Sequence, residues 1–324
     1  MSNRRFLPLA YGIFFATIAS SFAVPPSKPR VRASVPSAVS AKPRLDELSG
    51  TPRAPRLGLA IDDREIVQYL EQEGRKLLLG ARFASLSFDR RLCVVPLAEP
   101  VSEKLSVAQI AARAEAATVV FGEFYVNPKT GKMEFSTAAG GFLVSGSGAC
   151  VTCLHVVNEK ASRGLVAMTR DGQVFRVREV LATDPVDDIA ILQLDTPGNI
   201  VLPILPLAPE PTPPGSSIAV MSHPDERFYM LTTGVVARNT VWREAIGEEH
   251  FMTITADFAK GSSGCPVLDD RGAVVGMVNN TESIYYNDDG KKKQMDLQMV
   301  VKNTTPSWVV RRLIQQPEIH AGVK

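Results

Sequence analysis

Net charge is almost absent from this sequence: 36 Lys and Arg stand against 34 Asp and Glu, a formal +2. So balanced a surface argues against a polyanion, whether nucleic acid or an anionic membrane face, as the principal partner. Histidine and cysteine are scarce too, with four of each in 324 residues. The one close cysteine pair, Cys150 and Cys153, has neither a second pair for zinc nor a thioredoxin-like setting. No metal, dithiol redox centre or organic cofactor is therefore expected. Residues three apart on a strand face opposite sides, so these two do not bond to each other. Large apolar side chains are nearly missing between Val24 and Arg56, where seven prolines and seven Lys/Arg accompany two acids. Such a segment cannot bury enough surface to offset its ordering entropy, and residues 24–58 are expected to be a disordered or extended linker.

Ahead of the linker, a basic MSNRR precedes an apolar stretch broken by Pro8 and a small-x-small end at Ser21–Phe22–Ala23. This is the form of a secretory signal over residues 1–23, cut after Ala23, with an uncleaved membrane anchor as the minor alternative. Either way the body of the protein is expected outside the cytoplasm, periplasmic or extracellular.

Residues 59–115 read as an N-terminal extension. Ile66, Val67, Leu70, Leu77 and Leu78 recur at helical spacing, with Asp62 or Asp63 as the cap. A second helix begins at Ser106, where Ser-Val-Ala-Gln has the capping-box form with Gln109 reaching back. From Ala117 onward the texture changes to short β-rich runs (ATVVFGEFY, GGFLVSG, GLVAMT, IAILQL), and it resumes after a Pro-rich crossover at residues 206–215. Two blocks of closely spaced strands predict paired antiparallel β-barrels, an all-β fold over residues 116–318. Thr305 as N-cap and Pro306 as first helical residue predict one closing helix before a tail at 319–324.

Chemistry concentrates in Gly261–Pro266, GSSGCP, where Ser262, Ser263 and Cys265 are all nucleophile-capable within a glycine turn. A nucleophile needs a base, an acid to orient it and donors for an oxyanion. Of the four histidines, His223, His250 and His320 lie in unpromising contexts, whereas His155 follows the strand ACVT. The candidate acids are Asp184, Asp187 and Asp188. Asp188 abuts the apolar run Ile189–Leu192, while the other two read as turn residues.

The ordered set GGFLVSGSGACVTCLHVV, DDIAILQL and GSSGCPVLDDRGAVVGMV resembles the trypsin-like (chymotrypsin-fold) serine peptidases, nearest the bacterial HtrA/Deg-type and glutamyl-endopeptidase-like branches. The chain order His, Asp, Ser belongs to that fold rather than to subtilisins or α/β-hydrolases. The resemblance covers about Ala117 to Gln316 and implies two six-stranded barrels and a serine endopeptidase acting through an acyl-enzyme. It implies Ser263 as nucleophile, His155 as base, Asp188 as acid, and the N–H groups of Gly261 and Ser263 as the oxyanion hole. Val278, Asn279, Asn280 and Thr281 would offer a strand edge to an extended polypeptide substrate. Asp257, six residues before Ser263, stands where tryptic members carry the acid that selects Lys or Arg.

Ser262 fills the place of the acid that receives a new N-terminus in zymogens, so no such activation is expected. Cys265 replaces a common glycine. In an assembled triad Cys153 and Cys265 become neighbours, close enough to bridge or to pack together. No PDZ domain is expected after the closing helix, and the oligomeric state is left open. The alternative from another class is a catalytically inactive barrel used as a peptide-binding module.

Overall fold

The computed structural model describes residue 58 and residues 60–79, 86–157, 162–244, 247–287 and 295–317. The expected signal, most of the linker, the tail and His320 lie outside the described residues. Among those described, no helix is long and apolar enough to cross a membrane.

Helix α1 (Asp63–Leu79) starts where Asp62 Oδ1 accepts the N–H groups of Arg64 at 3.0 Å and Glu65 at 3.3 Å. Its Ile66 and Leu70 are fully buried, each contributing roughly 2 kcal/mol of burial. After the short strand β1 (Cys93–Val94), helix α2 (Val107–Ala117) opens with the expected capping box: the Gln109 N–H meets Ser106 Oγ, and the Ser106 N–H meets Gln109 Oε1 at 2.9 Å.

Seven further elements build the first barrel: β2 (Thr118–Val126), β3 (Met133–Leu143), β4 (Ala149–Cys153), the single turn α3 (Leu154–Val157), β5 (Ser162–Met168), β6 (Val174–Asp184) and β7 (Ile189–Leu194). Its strands close in the order β2-β3-β4-β7-β6-β5, every pair antiparallel. The second barrel comprises β8 (Ser217–Ser222), β9 (Met230–Glu244), β10 (Gly247–Ile254), β11 (Pro266–Leu268), β12 (Val274–Asn287) and β13 (Met295–Pro306), closing as β10-β13-β12-β11-β8-β9. Closure leaves neither sheet an open edge through the core. Two six-stranded antiparallel barrels are thus the fold. Ile218, Val220, Met252, Phe258 and Val267 are among the residues filling the second, while the larger core of the first also takes in Ile66, Leu70, Ile110 and Ala114 of the two helices. The extension is therefore packed onto the first barrel's core.

The expected closing helix is present, but it starts one residue later than its capping signal suggested. Pro306 is the N-cap, without a side-chain bond, and helix α4 is a single turn, Ser307–Arg311. Strand pairing continues through Met277 with Thr305 and Gly276 with Pro306, so the ladder holds both residues extended. The Thr305 hydroxyl, free of capping, donates to Asp187 O at 3.2 Å. Strand β14 (Ile314–Gln315) then pairs in parallel with β1, tying the end of the second barrel to the extension.

Candidate active site

Strand β4 delivers His155. Cys153 pairs with Ile189 across β4 and β7, and α3 turns the chain so that the imidazole, 52% exposed, faces the cleft between the barrels. Asp188, the residue before β7, meets it with both carboxylate oxygens: Oδ1 accepts the His155 backbone N–H at 2.9 Å, and Oδ2 lies 2.5 Å from Nδ1. The Leu154 N–H also donates to Asp188 O at 3.0 Å. Asp188 has φ +54°, a left-handed conformation that Asp tolerates better than most residues. That backbone choice separates its side chain from that of Asp187.

Ser263 lies on the same cleft wall as His155, in the turn before β11. Its hydroxyl is 3.4 Å from Asn279 O. Within the turn the N–H groups alternate: Ser262 donates to Ala259 O and Gly264 to Val278 O, whereas those of Gly261 and Ser263 have no protein acceptor among the described residues. Two glycines permit this shape. Gly261 has φ +91°, and a Cβ there would sit 2.9 Å from His223 O; Gly264 has φ +83°, and a Cβ would collide with Gly140 O and the Thr152 hydroxyl. Across the barrels, the Gly140 N–H donates to Ser263 O at 3.0 Å.

Val278, Asn279, Asn280 and Thr281 line one side of a pocket of about 450 Å³, with Phe258, Ala259, Lys260, His155 and Ser263 around the rest. Asp257 is not among these residues. Its side chain is 86% exposed and its carboxylate lies 3.5 Å from Lys302 Nζ. Phe258, next in sequence, takes the wall position instead.

The four cysteines are free thiols, so the expected neighbours Cys153 and Cys265 form no bridge. The Cys153 thiol donates to Val278 O at 3.2 Å, linking the His155 strand to β12. Cys265 is fully buried against Gly140, whose missing Cβ leaves room for the sulfur. A thiol replaces the common glycine there because a glycine faces it.

Cys153 Sγ, a ring nitrogen of His155 and a carboxylate oxygen of Asp188 lie within 4.8 Å of one another, a set that could approach a metal ion. Burial, with the Asp188 charge adding to it, drives the Cys153 thiol far above its ordinary pKa. A neutral thiol donating to a carbonyl is a poor metal ligand.

Two features escaped sequence inspection. Asp187, expected as a turn residue, is in the turn but its side chain is only 1% exposed. Its Oδ1 accepts the His250 backbone N–H at 2.7 Å and lies 3.2 Å from His250 Nδ1, and Oδ2 accepts from Arg312 at 3.0 Å. The second is the loop His223–Tyr229, which forms another wall of the cleft through His223, Asp225, Glu226 and Phe228. The doublet Asp187-Asp188 was the available signal for the first; the second has none in composition.

Residues 139–277 match the family model described as a trypsin-like peptidase domain. Among curated proteins, the chain is 32% identical over 144 residues to HhoA of Synechocystis sp., covering 42% of this chain and 35% of HhoA. It is 29% identical over 152 residues to "Serine protease HTRA1" of Xenopus laevis, covering 45% and 32%. It is 25% identical over 195 residues to "Probable periplasmic serine endoprotease DegP-like" of Brucella suis, covering 60% and 36%. The chain thus spans about a third of the length of each of these relatives. Among solved structures, the HtrA-type protease AlgW, in a serine-to-alanine form with a decapeptide, superposes with a TM-score of 0.50 at 16% identity, covering 63% of this chain and 64% of that one. That likeness supports the fold.

Proposed function

We propose that this chain, which carries a trypsin-like peptidase domain and has HtrA/DegP-family relatives, is an exported serine endopeptidase. The observation that carries the proposal is the single cleft lined by His155, with Asp188 behind it, by Ser263 and by Gly261, where the N–H groups of Gly261 and Ser263 have no protein acceptor among the described residues.

In this mechanism Ser263 Oγ attacks the scissile carbonyl while His155 takes its proton. Asp188, held against both the ring and the backbone of His155, fixes the tautomer and stabilises the imidazolium. Negative charge developing on the carbonyl oxygen is met by the N–H groups of Gly261 and Ser263, each such donor being worth ~3 kcal/mol in a transition state. His155 then returns the proton to the leaving amine, and water hydrolyses the acyl-enzyme by the same route in reverse. An extended polypeptide would lie along Val278–Thr281, as the decapeptide bound by the AlgW relative encourages. The secretory-type N-terminus, together with the word periplasmic in the name of the Brucella relative, supports export.

A fluorophosphonate probe tests the proposal. Native protein is expected to label at one site, and Ser263→Ala to be unlabelled. Folded native protein that takes no label would leave the inactive-barrel alternative standing.

A further inference from the structure

The loop between β8 and β9, His223–Tyr229, borders the nucleophile turn and is conformationally costly. Asp225, Glu226 and Tyr229 all have positive φ, at 50°, 59° and 58°, without being glycine. Such a loop persists only where its surroundings hold it. On its cleft side the Asp225 N–H donates to Lys260 O at 2.7 Å, and His223 O and Asp225 N sit 2.9 and 3.3 Å from the place a Gly261 Cβ would take. The residues that set the Gly261 peptide are therefore in direct contact with the loop. The Thr137 hydroxyl also reaches Glu226.

On its far side the loop is held from the N-terminal extension. The Phe228 N–H donates to Asp63 Oδ1 at 3.0 Å, across 165 positions of sequence. Asp63 is not needed to cap its own helix, because Asp62 does that. Asp225 and Glu226 line both the cleft that holds Ser263 and a groove against α1 formed with Asp63, Arg64, Val67 and Gln68. One loop is thus the partition between the extension and the catalytic cleft.

We infer that Asp63 is a positioning residue for the oxyanion turn: it holds Phe228, the loop holds Lys260–Gly261, and the direction of the Gly261 and Ser263 N–H groups follows. The inference rests on the proposed role of those two groups. It makes the extension a working part of the peptidase, able to set its rate without touching substrate.

The test compares the native full-length chain with Asp62→Ala, Asp63→Ala and Asp63→Asn. Three measurements are made on each: kcat and KM on a chromogenic peptide, rate of fluorophosphonate labelling, and melting temperature. Amide exchange at Asp225 and Phe228 is followed in the Ser263→Ala background. Asp63→Ala is expected to lower kcat and labelling about ten- to a hundredfold, the scale of a small misplacement of catalytic groups, with KM nearly unchanged. Asp63→Asn, whose amide oxygen still accepts the Phe228 N–H, is expected to recover most of the loss. Asp62→Ala is expected to lower the melting temperature while leaving kcat intact. Exchange at Asp225 and Phe228 should rise in Asp63→Ala alone. Equal loss of kcat in Asp62→Ala and Asp63→Ala, or unchanged exchange in Asp63→Ala, overturns the inference. Native protein with no activity and no label defeats the endopeptidase proposal instead, and the exchange arm then decides the structural link alone.

Discussion

Asp187 and Asp188 are neighbours in sequence, and each meets a histidine, yet the two pairs live in different physical worlds. Asp188 turns toward the first barrel and meets His155, with side chains 22% and 52% exposed on the cleft. Asp187 turns toward the second barrel and meets His250, with side chains 1% and 11% exposed. Around the buried pair, His250 packs edge-on against Trp308 at 4.9 Å between ring centres, and the Arg312 guanidinium lies over the same indole. Burial pushes the Asp187 carboxyl upward, while its bonds to His250 pull it back. The comparison teaches that a histidine–carboxylate contact is not in itself a catalytic device. One pair opens on a cleft that Ser263 also lines; the other ties the turn before β7 to β10, β13 and the closing helix, and acts as a clasp.

The sharpest way to break the comparison is to neutralise each acid. Asp188→Asn keeps a residue that accepts the left-handed backbone, so the fold should survive with a nearly native melting temperature. Its kcat is expected to drop by about 10⁴, the effect of leaving the base in the wrong tautomer. A loss below tenfold would remove Asp188 from the mechanism. Asp187→Ala should do the reverse, costing roughly 3 kcal/mol in urea unfolding because His250 and Arg312 lose a buried acceptor. Labelling by fluorophosphonate per folded molecule should remain native. Asp187→Asn should be milder, since an amide oxygen can still take the His250 N–H and no charge is then buried. Equal stability losses in the Asp187 and Asp188 variants would erase the distinction between clasp and catalyst.

What was legible in the sequence was local or ordered along the chain. Ser106 and Gln109 announce a helix because both halves of the capping box lie within one turn. Of the three residues singled out by their order along the chain, His155 and Ser263 line one cleft and Asp188 meets His155. What was not legible depends on the packing of barrel against barrel. Nothing near Asp187 foretells His250, 63 positions away, or Arg312, 125 away. Asp257 was singled out by a fixed offset from Ser263, which carries no information on how the intervening loop runs; its carboxylate meets Lys302 and is not among the residues lining the pocket. Thr305 and Pro306 look like a helix start in isolation; the β12–β13 ladder outlasts that local preference.

His223 extends the comparison to a histidine with no acid at all. It is 2% exposed, its Nδ1 accepts the Tyr229 N–H at 3.1 Å, and burial lowers its pKa from 6.5 to about 4. Between those two values the unfolded chain holds a proton that the folded protein refuses. Stability therefore rises with pH across this window and is complete above 6.5, and the contribution is lost as pH falls toward 4. The loss attributable to His223 by pH 5 is about 2 kcal/mol. Urea unfolding at pH 7 and pH 5 measures it, with His223→Gln as the reference. The variant should lose less stability than the native protein over that interval, by about that amount, because glutamine has no proton to bind. If both lose equally, His223 is not held neutral by the fold. The loop it begins would then have to be anchored by the Asp225 and Phe228 N–H bonds without help from a neutral imidazole accepting from Tyr229.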